Sequence, residues 1–338
     1  MRIALNGYGR VGRCFMRALA EREAQGFNAP FTLAAINDIA TPEQLLYLSR
    51  YDSTHGTYQG TVALEGEHLH IGEQTPLLLQ EEAPEHLPWQ AQGIDLVLEC
   101  SGVYRGYHDA AKHVAAGAER VLIGAVPFDK ADRFVVYGVN HESLTAQDKV
   151  ISAASCTTHA IAPLLQCLHQ AYGVEQVVMT EVHAVTSDQG LLDTHHRDPR
   201  RGRAAGQNIV PTTSSAIGAV QQVLPFLQGR ISGGSIRVPT LNVAMVDLTL
   251  RLQHTPTAAQ INQLFAQEAE RRPGIIGYNT APLVSVDFNH KAESTWLDAT
   301  QTLVQGDMVR VVAWYDNEWG YANRLLDLVT WLAQQPNH

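Results

Sequence analysis

The residue best suited to covalent chemistry in this sequence is Cys156, in the segment SCTTH. It lies where a strand predicted over 150–154 gives way to a helix predicted over 155–172. A thiol in the first helical turn lies near the positive end of the helix dipole and near unpaired backbone N–H groups. Both favour the thiolate, and the N–H groups can also stabilise an oxyanion. Cys156 is therefore the candidate nucleophile, whereas a buried structural role fits the other cysteines better: Cys14, Cys100 and Cys167.

A thiol nucleophile needs a base, and His183 is the candidate. It ends a strand predicted over 177–183, which directly follows the helix that carries Cys156. The two side chains can therefore meet at the edge of a sheet, although fifteen histidines weaken any choice made from order alone. Glu181 lies two positions earlier on the same strand face. Its carboxylate is expected to raise the pKa of His183 by favouring the imidazolium.

A binding site for an anion is predicted around Arg237. This arginine stands between Ile236 and Val238 in a strand-like run, where a guanidinium requires an anionic partner such as a phosphate. Thr186, Asp188 and the hydroxyl-rich run 212–215 could complete the site. The arginine-rich loop 197–203 is interpreted as a solvated surface, which is the commoner role of such a segment.

The amino terminus carries a dinucleotide-binding pattern. Gly7-x-Gly9-x-x-Gly12 follows a predicted strand and opens a predicted helix, and Asp38 ends the second strand. These glycines allow a tight turn, close approach of the backbone to a pyrophosphate, and close packing of helix on strand. Asp38 would accept hydrogen bonds from ribose hydroxyls and repel a 2′-phosphate, so the pattern predicts NAD rather than NADP.

The elements that must position these residues form two domains. Strands and helices alternate over 1–154, which predicts an α/β, doubly wound Rossmann domain with a β-ribbon insertion at 61–79. The segment 155–317 has longer strands, including predicted strands at 236–238, 243–252, 284–287 and 309–315, and helices at 214–224 and 257–271. This predicts an α+β catalytic domain with a mixed or antiparallel sheet. A carboxy-terminal helical segment, 318–338, is expected to return to the first domain.

The composition of the chain argues against several classes of partner. The chain has 338 residues, of which 45% are hydrophobic, and a formal net charge of -10. The acidic balance argues against a nucleic-acid partner, which would require a basic face. No membrane-length apolar run and no cysteine or histidine spacing typical of zinc is present, so neither a membrane nor a metal is expected. Without a recognisable signal segment, the protein is expected to be cytoplasmic.

Seven segments together resemble one enzyme family along essentially the whole chain. They are NGYGRVGR (6–13), IND (36–38), YDSTHG (51–56), SCTT (155–158), RVPTLNV (237–243), VDLT (246–249) and YDNEWGYANR (315–324). The chain resembles the glyceraldehyde-3-phosphate dehydrogenases and the related erythrose-4-phosphate dehydrogenases. The resemblance implies NAD as cofactor and a phosphorylated aldose as substrate, with inorganic phosphate or water as the candidate acceptors of the acyl group. It also implies a homotetramer in which the loop 180–205 approaches a neighbouring subunit's cofactor.

The resemblance also implies residue roles. Cys156 would be the nucleophile that forms a thioester, with His183 as its base. Arg10 and Val11 would contact the pyrophosphate, Asp38 the ribose and Asn317 the nicotinamide carboxamide. Thr186 and Arg237 resemble the pocket for the substrate's own phosphate. A second anion or substrate site is implied for Ser155, Thr157, Arg201, Ser214 and Ser215.

The aldehyde itself is left open between two candidates. VVYGVN (135–140), LPW (87–89), SVDFNH (285–290) and NEWG (317–320) resemble the erythrose-4-phosphate subgroup, which is favoured, with 4-phosphoerythronate as product. Thr186 and PTTSSA (211–216) are closer to the phosphorylating glyceraldehyde-3-phosphate enzymes, the alternative.

Four positions depart from the family pattern: His159 replaces a usual Asn, Ala160 a frequent second Cys, Glu181 a usual Thr, and Thr57 a common Lys or Arg.

The sequence disfavours two other functions. A non-catalytic binding role is disfavoured by the Cys156 and His183 pair, and an NADP-linked biosynthetic dehydrogenase is disfavoured by Asp38.

Overall fold

In the computed structural model, which describes residues 1–335, the amino-terminal half forms a mainly parallel sheet flanked by helices. This unit comprises Met1–Ala154 and the chain from Ala322. Its strands are β1 (Arg2–Asn6), β2 (Thr32–Asn37), β3 (Val62–Glu65), β4 (His68–Ile71), β5 (Leu77–Leu79), β6 (Leu96–Glu99), β7 (Arg120–Ile123), β8 (Arg133–Phe134) and β9 (Val150–Ser152). Its helices are α1 (Arg10–Ala24), α2 (Pro42–Arg50), α3 (Trp89–Gln92) and α4 (Tyr107–Ala115).

The strand order of this sheet is β3-β4-β5-β2-β1-β6-β7-β9-β8. Every pair from β5 to β8 is parallel, and the strands β3, β4 and β5 pair antiparallel. The chain runs outward from β1 through β2 and then returns to the other side of β1 with β6. This reversal is the switch point at which doubly wound sheets bind ligands, beyond the carboxyl ends of the strands. The predicted Rossmann fold is confirmed.

The local sequence explains why these elements form. Four of the five residues of β1 are buried, as expected for a strand covered on both faces by helices. The helix α2 begins with a capping box between Thr41 and Gln44, followed by Pro42 at a position where a helix does not need the missing N–H. The predicted ribbon at 61–79 is present as β3 to β5, and β5 also extends the parallel sheet beside β2.

The second unit comprises Ser155–Tyr321. Its strands are β10 (Val174–His183), β11 (Val210–Thr212), β12 (Ile231–Arg237), β13 (Ala244–Leu252), β14 (Ile276–Asn279), β15 (Thr295–Asp298), β16 (Leu303–Gln305) and β17 (Met308–Tyr315). Its helices are α5 (Cys156–Tyr172), α6 (Ala216–Val223) and α7 (Ala258–Arg271). The helix α8 (Trp319–Gln334) begins here, and its residues from Ala322 belong to the first unit, where Arg22 pairs with Asp327 at 2.6 Å. Residues 336–338 of the predicted terminal segment lie outside the described residues.

The sheet of the second unit has the order β11-β12-β10-β13-β17-β15-β14, and β16 pairs with β17. The strands β10 and β12 are parallel, whereas β13 is antiparallel to both β10 and β17. The predicted mixed sheet is therefore confirmed. Residues alternate between buried and more exposed along β10 and β13, which indicates that one face of this sheet packs on the core.

One predicted strand is wrong. Residues 284–287 were expected to be extended, but Ser285–Phe288 forms a 3-10 helix. The backbone N–H of Val284 donates to the Asp287 carboxylate at 2.9 Å, and this local bond closes a turn in place of a strand ladder. The alternation of apolar and polar residues was too short to distinguish the two conformations.

No helix within residues 1–335 combines the length and the apolar character that crossing a membrane requires.

Candidate active site

Two parallel strands bring the predicted base and the predicted anion-binding arginine to one edge of the second sheet. In the register of β10 and β12, His183 is directly opposite Arg237, and each is the last residue of its strand. Side chains at the carboxyl ends of adjacent parallel strands lie close together. Accordingly, Nη1 of Arg237 lies 3.2 Å from Nδ1 of His183.

Cys156 is placed by a strained turn and a helix cap. Ala154 has a φ of 51°, a left-handed conformation that is uncommon for a residue with a side chain. Ser155 then caps α5, because its hydroxyl accepts a hydrogen bond from the backbone N–H of Thr158 at 3.1 Å. Cys156 is thus the first residue of α5, and its Sγ lies 3.7 Å from Nε2 of His183. The structure brings the predicted nucleophile and base together.

The hydrogen bonds of His183 favour one tautomer. Nδ1 lies 2.8 Å from the carbonyl oxygen of Ala184, to which an Nδ1–H donates. That bond leaves the lone pair of Nε2 directed toward the sulfur of Cys156. Nδ1 cannot also accept from Arg237 in this tautomer, and the contact with Ala184 is the shorter of the two. His183 can therefore take a proton from the thiol.

Beside this pair lies a buried carboxylate, that of Glu181, which is 2% exposed. Its Oε1 accepts a hydrogen bond from the hydroxyl of Thr157 at 2.5 Å and a longer one from Tyr315 at 3.3 Å. The same Oε1 lies 3.9 Å from Nε2 of His183. Thr157 Oγ1 in turn lies 3.9 Å from the sulfur of Cys156. A single hydroxyl group separates the carboxylate from the nucleophile.

The ionisation of these groups follows from burial and from their neighbours. Burial raises the pKa of the Cys156 thiol to about 12, and Glu181 adds to the rise. Burial also lowers the pKa of His183, with Arg237 acting in the same direction and Glu181 in the opposite one. Burial alone would raise the pKa of Glu181, but His183 and the hydrogen bond from Thr157 lower it below its ordinary value.

The helix terminus was expected to lower the pKa of Cys156, but burial raises it. Glu181 does raise the pKa of His183, as expected, although burial is the larger effect and the pKa is lowered overall. The arrangement is that of a thiol beside a neutral imidazole, in which the proton leaves sulfur as the nucleophile attacks.

Arg237 retains capacity for an anion. Its Nη1 contacts Thr186 Oγ1 and the carbonyl of Ala184, each at 3.4 Å, which is long for a hydrogen bond. Its buried Nε has no hydrogen-bond partner within residues 1–335. A guanidinium with a buried, unpaired Nε is destabilising unless an anion is bound. The predicted grouping of Arg237 with Thr186 is present in the structure.

Arg201, in contrast, is fully engaged within the protein. Its Nη1 donates to Asp188 at 2.7 Å, its Nε to the Thr212 hydroxyl at 2.9 Å, and its Nη2 to the Thr213 carbonyl at 3.0 Å. Asp188 therefore orients Arg201, and as a carboxylate it is not itself suited to contact a phosphate. Ser214 is close enough to Glu181 to lower its pKa. Ser215 is exposed at the start of α6 and makes no capping hydrogen bond from its side chain.

The first unit carries a cradle suited to a dinucleotide. A Cβ at Gly7 would lie 2.3 Å from the backbone nitrogen of Ser101, and one at Gly12 would lie 2.5 Å from the carbonyl oxygen of Gly7. Only glycine fits at these two positions. The space beside Gly9 is open, and α1 begins without a side-chain cap or an acidic residue in its first turn. Its amino-terminal N–H groups are thus suited to a pyrophosphate.

Three of the other predicted cofactor residues lie beside this cradle in the first unit. Asp38 directly follows β2 and accepts hydrogen bonds from the backbone N–H groups of Tyr8 at 2.6 Å and Ala40 at 2.9 Å. The guanidinium of Arg10 pairs with Asp52, so contact between Arg10 and a pyrophosphate would come from its backbone N–H. Val11 follows it in the first turn of α1. Asn317, in the second unit, has a buried Oδ1 with no hydrogen-bond partner within residues 1–335.

Two residues of the site were not assigned roles from sequence. Glu181 was recognised as a departure but not as a member of the hydrogen-bond network. Its position two residues before His183 was the available signal. Tyr315 donates to that network from β17, which reaches β10 only through β13. A local sequence pattern cannot predict the contact between Tyr315 and Glu181, because the two residues are far apart in the chain.

Comparison with known proteins agrees with the residue pattern. Residues 1–107 match the sequence model of a protein family, the glyceraldehyde 3-phosphate dehydrogenase NAD binding domain. Residues 155–317 match the family model of the glyceraldehyde 3-phosphate dehydrogenase C-terminal domain. Together these matches cover most of the chain, including Gly7, Asp38, Cys156 and His183.

Several characterised proteins are similar over nearly their whole length. The plasmid-encoded glyceraldehyde-3-phosphate dehydrogenase of Cupriavidus necator is 43% identical over 334 residues, which is 98% of each chain. The glyceraldehyde-3-phosphate dehydrogenase of Pseudomonas aeruginosa is 43% identical over 333 residues, again 98% of each chain. That of Zymomonas mobilis is 43% identical over 337 residues, 99% of each chain.

Removal of the Glu181 charge should make Cys156 easier to ionise. In Glu181→Gln we expect alkylation of Cys156 by iodoacetamide at pH 8 to be faster by on the order of tenfold, because the carboxylate no longer repels the thiolate. Mass spectrometry of the Cys156 peptide distinguishes this label from that on the buried cysteines. Glu175→Gln, on the same strand, is the control. An unchanged rate in Glu181→Gln, or an equal gain in the control, contradicts the assigned effect.

Proposed function

The chain belongs to the glyceraldehyde-3-phosphate dehydrogenase family of NAD-dependent oxidoreductases, and on this basis we propose that it oxidises D-erythrose 4-phosphate to 4-phosphoerythronate through a thioester on Cys156. The observation that carries the chemistry is the 3.7 Å contact between Cys156 Sγ and His183 Nε2. The nearby Arg237, with an unpaired buried Nε, supports a phosphorylated substrate. The preference for erythrose 4-phosphate rests on the four subgroup-like segments of the sequence.

The residues of the chain would act in sequence. The sulfur of Cys156 attacks the aldehyde carbon as Nε2 of His183 takes the thiol proton, which gives a hemithioacetal. The carbonyl of Ala184 keeps His183 in the required tautomer by accepting from Nδ1. Backbone N–H groups at the start of α5 are suited to stabilise the developing oxyanion. Bound NAD supplies the hydride acceptor that converts the hemithioacetal to a thioester.

The binding roles are assigned to the groups whose hydrogen bonds permit them. Arg237 and Thr186 would hold the substrate's phosphate, because the guanidinium is only weakly engaged within the protein. Gly7, Gly9 and Gly12, with the backbone of Arg10 and Val11, would hold the pyrophosphate, and Asp38 the ribose. Asn317 would bind the nicotinamide carboxamide, for which its unpaired Oδ1 is a suitable acceptor.

The alternative substrate is glyceraldehyde 3-phosphate. It is favoured by the names of the relatives at 43% identity and by the run PTTSSA at 211–216. Both aldehydes carry a terminal phosphate and differ by one hydroxylated carbon. The same Cys156 and His183 chemistry serves either, so the choice depends on how far the phosphate-binding group lies from the sulfur.

We also propose a cytoplasmic homotetramer, as the family resemblance implies. Large apolar side chains are exposed in the second unit, and contact with other subunits would cover them. They are Val178, Leu191, Leu192, Ile209, Leu241 and Leu303. Sedimentation equilibrium should give a mass close to four chains. A monomeric mass at micromolar concentration would exclude the assembly.

With NAD present, both phosphorylated aldehydes should produce NADH, and erythrose 4-phosphate should have the higher kcat/KM. Cys156→Ser should lose roughly 10³-fold or more in kcat, because a hydroxyl is a far weaker nucleophile than a thiol paired with imidazole. NADH absorbance measures both. A higher kcat/KM for glyceraldehyde 3-phosphate selects the alternative, and full activity in Cys156→Ser excludes thioester chemistry.

Neutralising Arg237 should weaken recognition of the substrate's phosphate. In Arg237→Gln we expect kcat/KM for the phosphorylated aldehyde to fall by roughly 10- to 100-fold, the usual value of one charge-assisted hydrogen bond. The parent aldehyde without phosphate should be much less affected. Arg251→Gln, which changes an exposed arginine on β13, is the control. Equal losses for the two aldehydes would show that Arg237 acts on His183 rather than on the phosphate.

A further inference from the structure

The hydrogen-bond donors around Cys156 are already engaged by the protein's own acceptors. The hydroxyl of Thr157 donates to Glu181 at 2.5 Å. The hydroxyl of Ser155 lies 2.8 Å from that of Thr158 and also accepts its backbone N–H. The family resemblance implies both hydroxyl groups for binding a second anion. In this protein, both already form hydrogen bonds with other residues of the chain.

The guanidinium implied for the same site is also neutralised. All three nitrogens of Arg201 donate to acceptors of the protein, and the strongest of these contacts is the ion pair with Asp188 at 2.7 Å. Asp188 and Glu181 together bring two carboxylates to the donors that an incoming anion would use. Arg237 differs, because its Nε has no partner within residues 1–335. The site therefore has one cation available, enough for one phosphate group.

Glu181 adds a fixed negative charge at the reacting centre. It is 2% exposed, its Oε1 lies 3.9 Å from Nε2 of His183, and its buried Oε2 has no hydrogen-bond partner within residues 1–335. In a poorly hydrated site, such a carboxylate repels an approaching oxyanion strongly. A neutral nucleophile is not repelled, and its O–H can donate to a carboxylate oxygen.

We propose that Glu181 is a specificity-determining residue that makes water, rather than an oxyanion such as inorganic phosphate, the nucleophile that releases the acyl group from Cys156. This inference rests on the proposed thioester chemistry and holds for either aldehyde. The charge excludes the anion, and the bond to Thr157 removes a donor that the anion would need.

The release step is a hydrolysis without redox change. His183 first loses to solvent the proton that it took from the thiol. The oxygen of water then forms a bond to the thioester carbon, and a proton of that water passes to Nε2 of His183. The C–S bond then breaks, the electron pair stays on the sulfur, and the proton on His183 returns to it. The products are the free carboxylic acid, which loses its own proton to solvent, and the Cys156 thiol.

The test compares release of an acyl group from Cys156 with and without inorganic phosphate at constant ionic strength. Steady-state NADH formation from each aldehyde is one readout, and ³¹P NMR of the product distinguishes acyl phosphate from free acid. Deacylation after reaction of Cys156 with p-nitrophenyl acetate is a second readout, which needs neither NAD nor the correct aldehyde. The variants are Glu181→Thr, Glu181→Gln and the strand-matched control Glu175→Thr.

In the unmodified protein and in Glu175→Thr, phosphate should change either rate by less than about twofold, and no acyl phosphate should form. In Glu181→Thr, phosphate should accelerate release by on the order of tenfold or more and yield acyl phosphate, because the charge is gone and Thr157 is free to donate. Glu181→Gln should show a smaller gain, since its amide can still engage Thr157.

The inference is wrong if inorganic phosphate accelerates release of the acyl group from Cys156 in the unmodified protein. It is also wrong if the release rate does not depend on phosphate in either of the folded Glu181 variants. Neither result affects the proposed oxidation of the aldehyde through a thioester on Cys156 if NADH is still formed, although phosphorolysis in the unmodified protein would make an acyl phosphate, rather than 4-phosphoerythronate, the released product. Absence of NADH with both aldehydes removes the proposed function instead, and the deacylation readout still decides the role of Glu181.

Discussion

The chemistry of this protein depends on a balance of charge among three ionisable groups at the ends of two parallel strands. β10 and β12 set His183 opposite Arg237, and the alternation of β10 places Glu181 on the same side as His183. Burial disfavours the charged form of every group in this cluster. A group is therefore charged only where an opposite charge or hydrogen bonds from its neighbours stabilise that form. The neutral imidazole and the protonated thiol follow from that constraint.

The same balance explains why Arg201 and Arg237 differ in their capacity for an external anion. Arg201 lies in a loop with carboxylates and hydroxyls, and these satisfy its nitrogens. Arg237 lies at a strand end, where its Nε has no acceptor within residues 1–335 and the contacts of its Nη1 with oxygen atoms are long. A guanidinium binds an external anion only if internal acceptors do not satisfy it first. The arginine that appeared most embedded is therefore the better phosphate ligand.

The parts of the site that sequence could predict are those specified locally. The turn from β1 into α1 requires glycine at positions 7 and 12, so the six-residue pattern 7–12 is enough to predict the cofactor-binding turn. Cys156 and His183 were identified because each lies at the boundary of a predicted element: Cys156 begins a helix after a strand, and His183 ends a strand. The pKa directions were not predictable, since they depend on burial by strands distant in the chain, including the one that carries Tyr315. The strand predicted at 284–287 is absent because the hydrogen bond from the backbone N–H of Val284 to the Asp287 side chain favours a turn, and the alternation of apolar and polar residues is too short to favour a strand.

A buried glutamate in this position also needs a structural explanation, because an uncompensated carboxylate destabilises a fold. Two hydroxyl groups, from Thr157 and Tyr315, donate to its Oε1, and burial together with Glu181 raises the pKa of Tyr315 so that the phenol stays protonated as a donor. Compensation of one oxygen leaves Oε2 without a partner within residues 1–335. A carboxylate retained at this cost, where a threonine would pack with less penalty, indicates that its charge affects the reaction rather than the stability of the fold. The donors that make Glu181 tolerable are ones that an anionic nucleophile would otherwise use, so accommodation of the carboxylate and the proposed exclusion of the anion have the same structural basis.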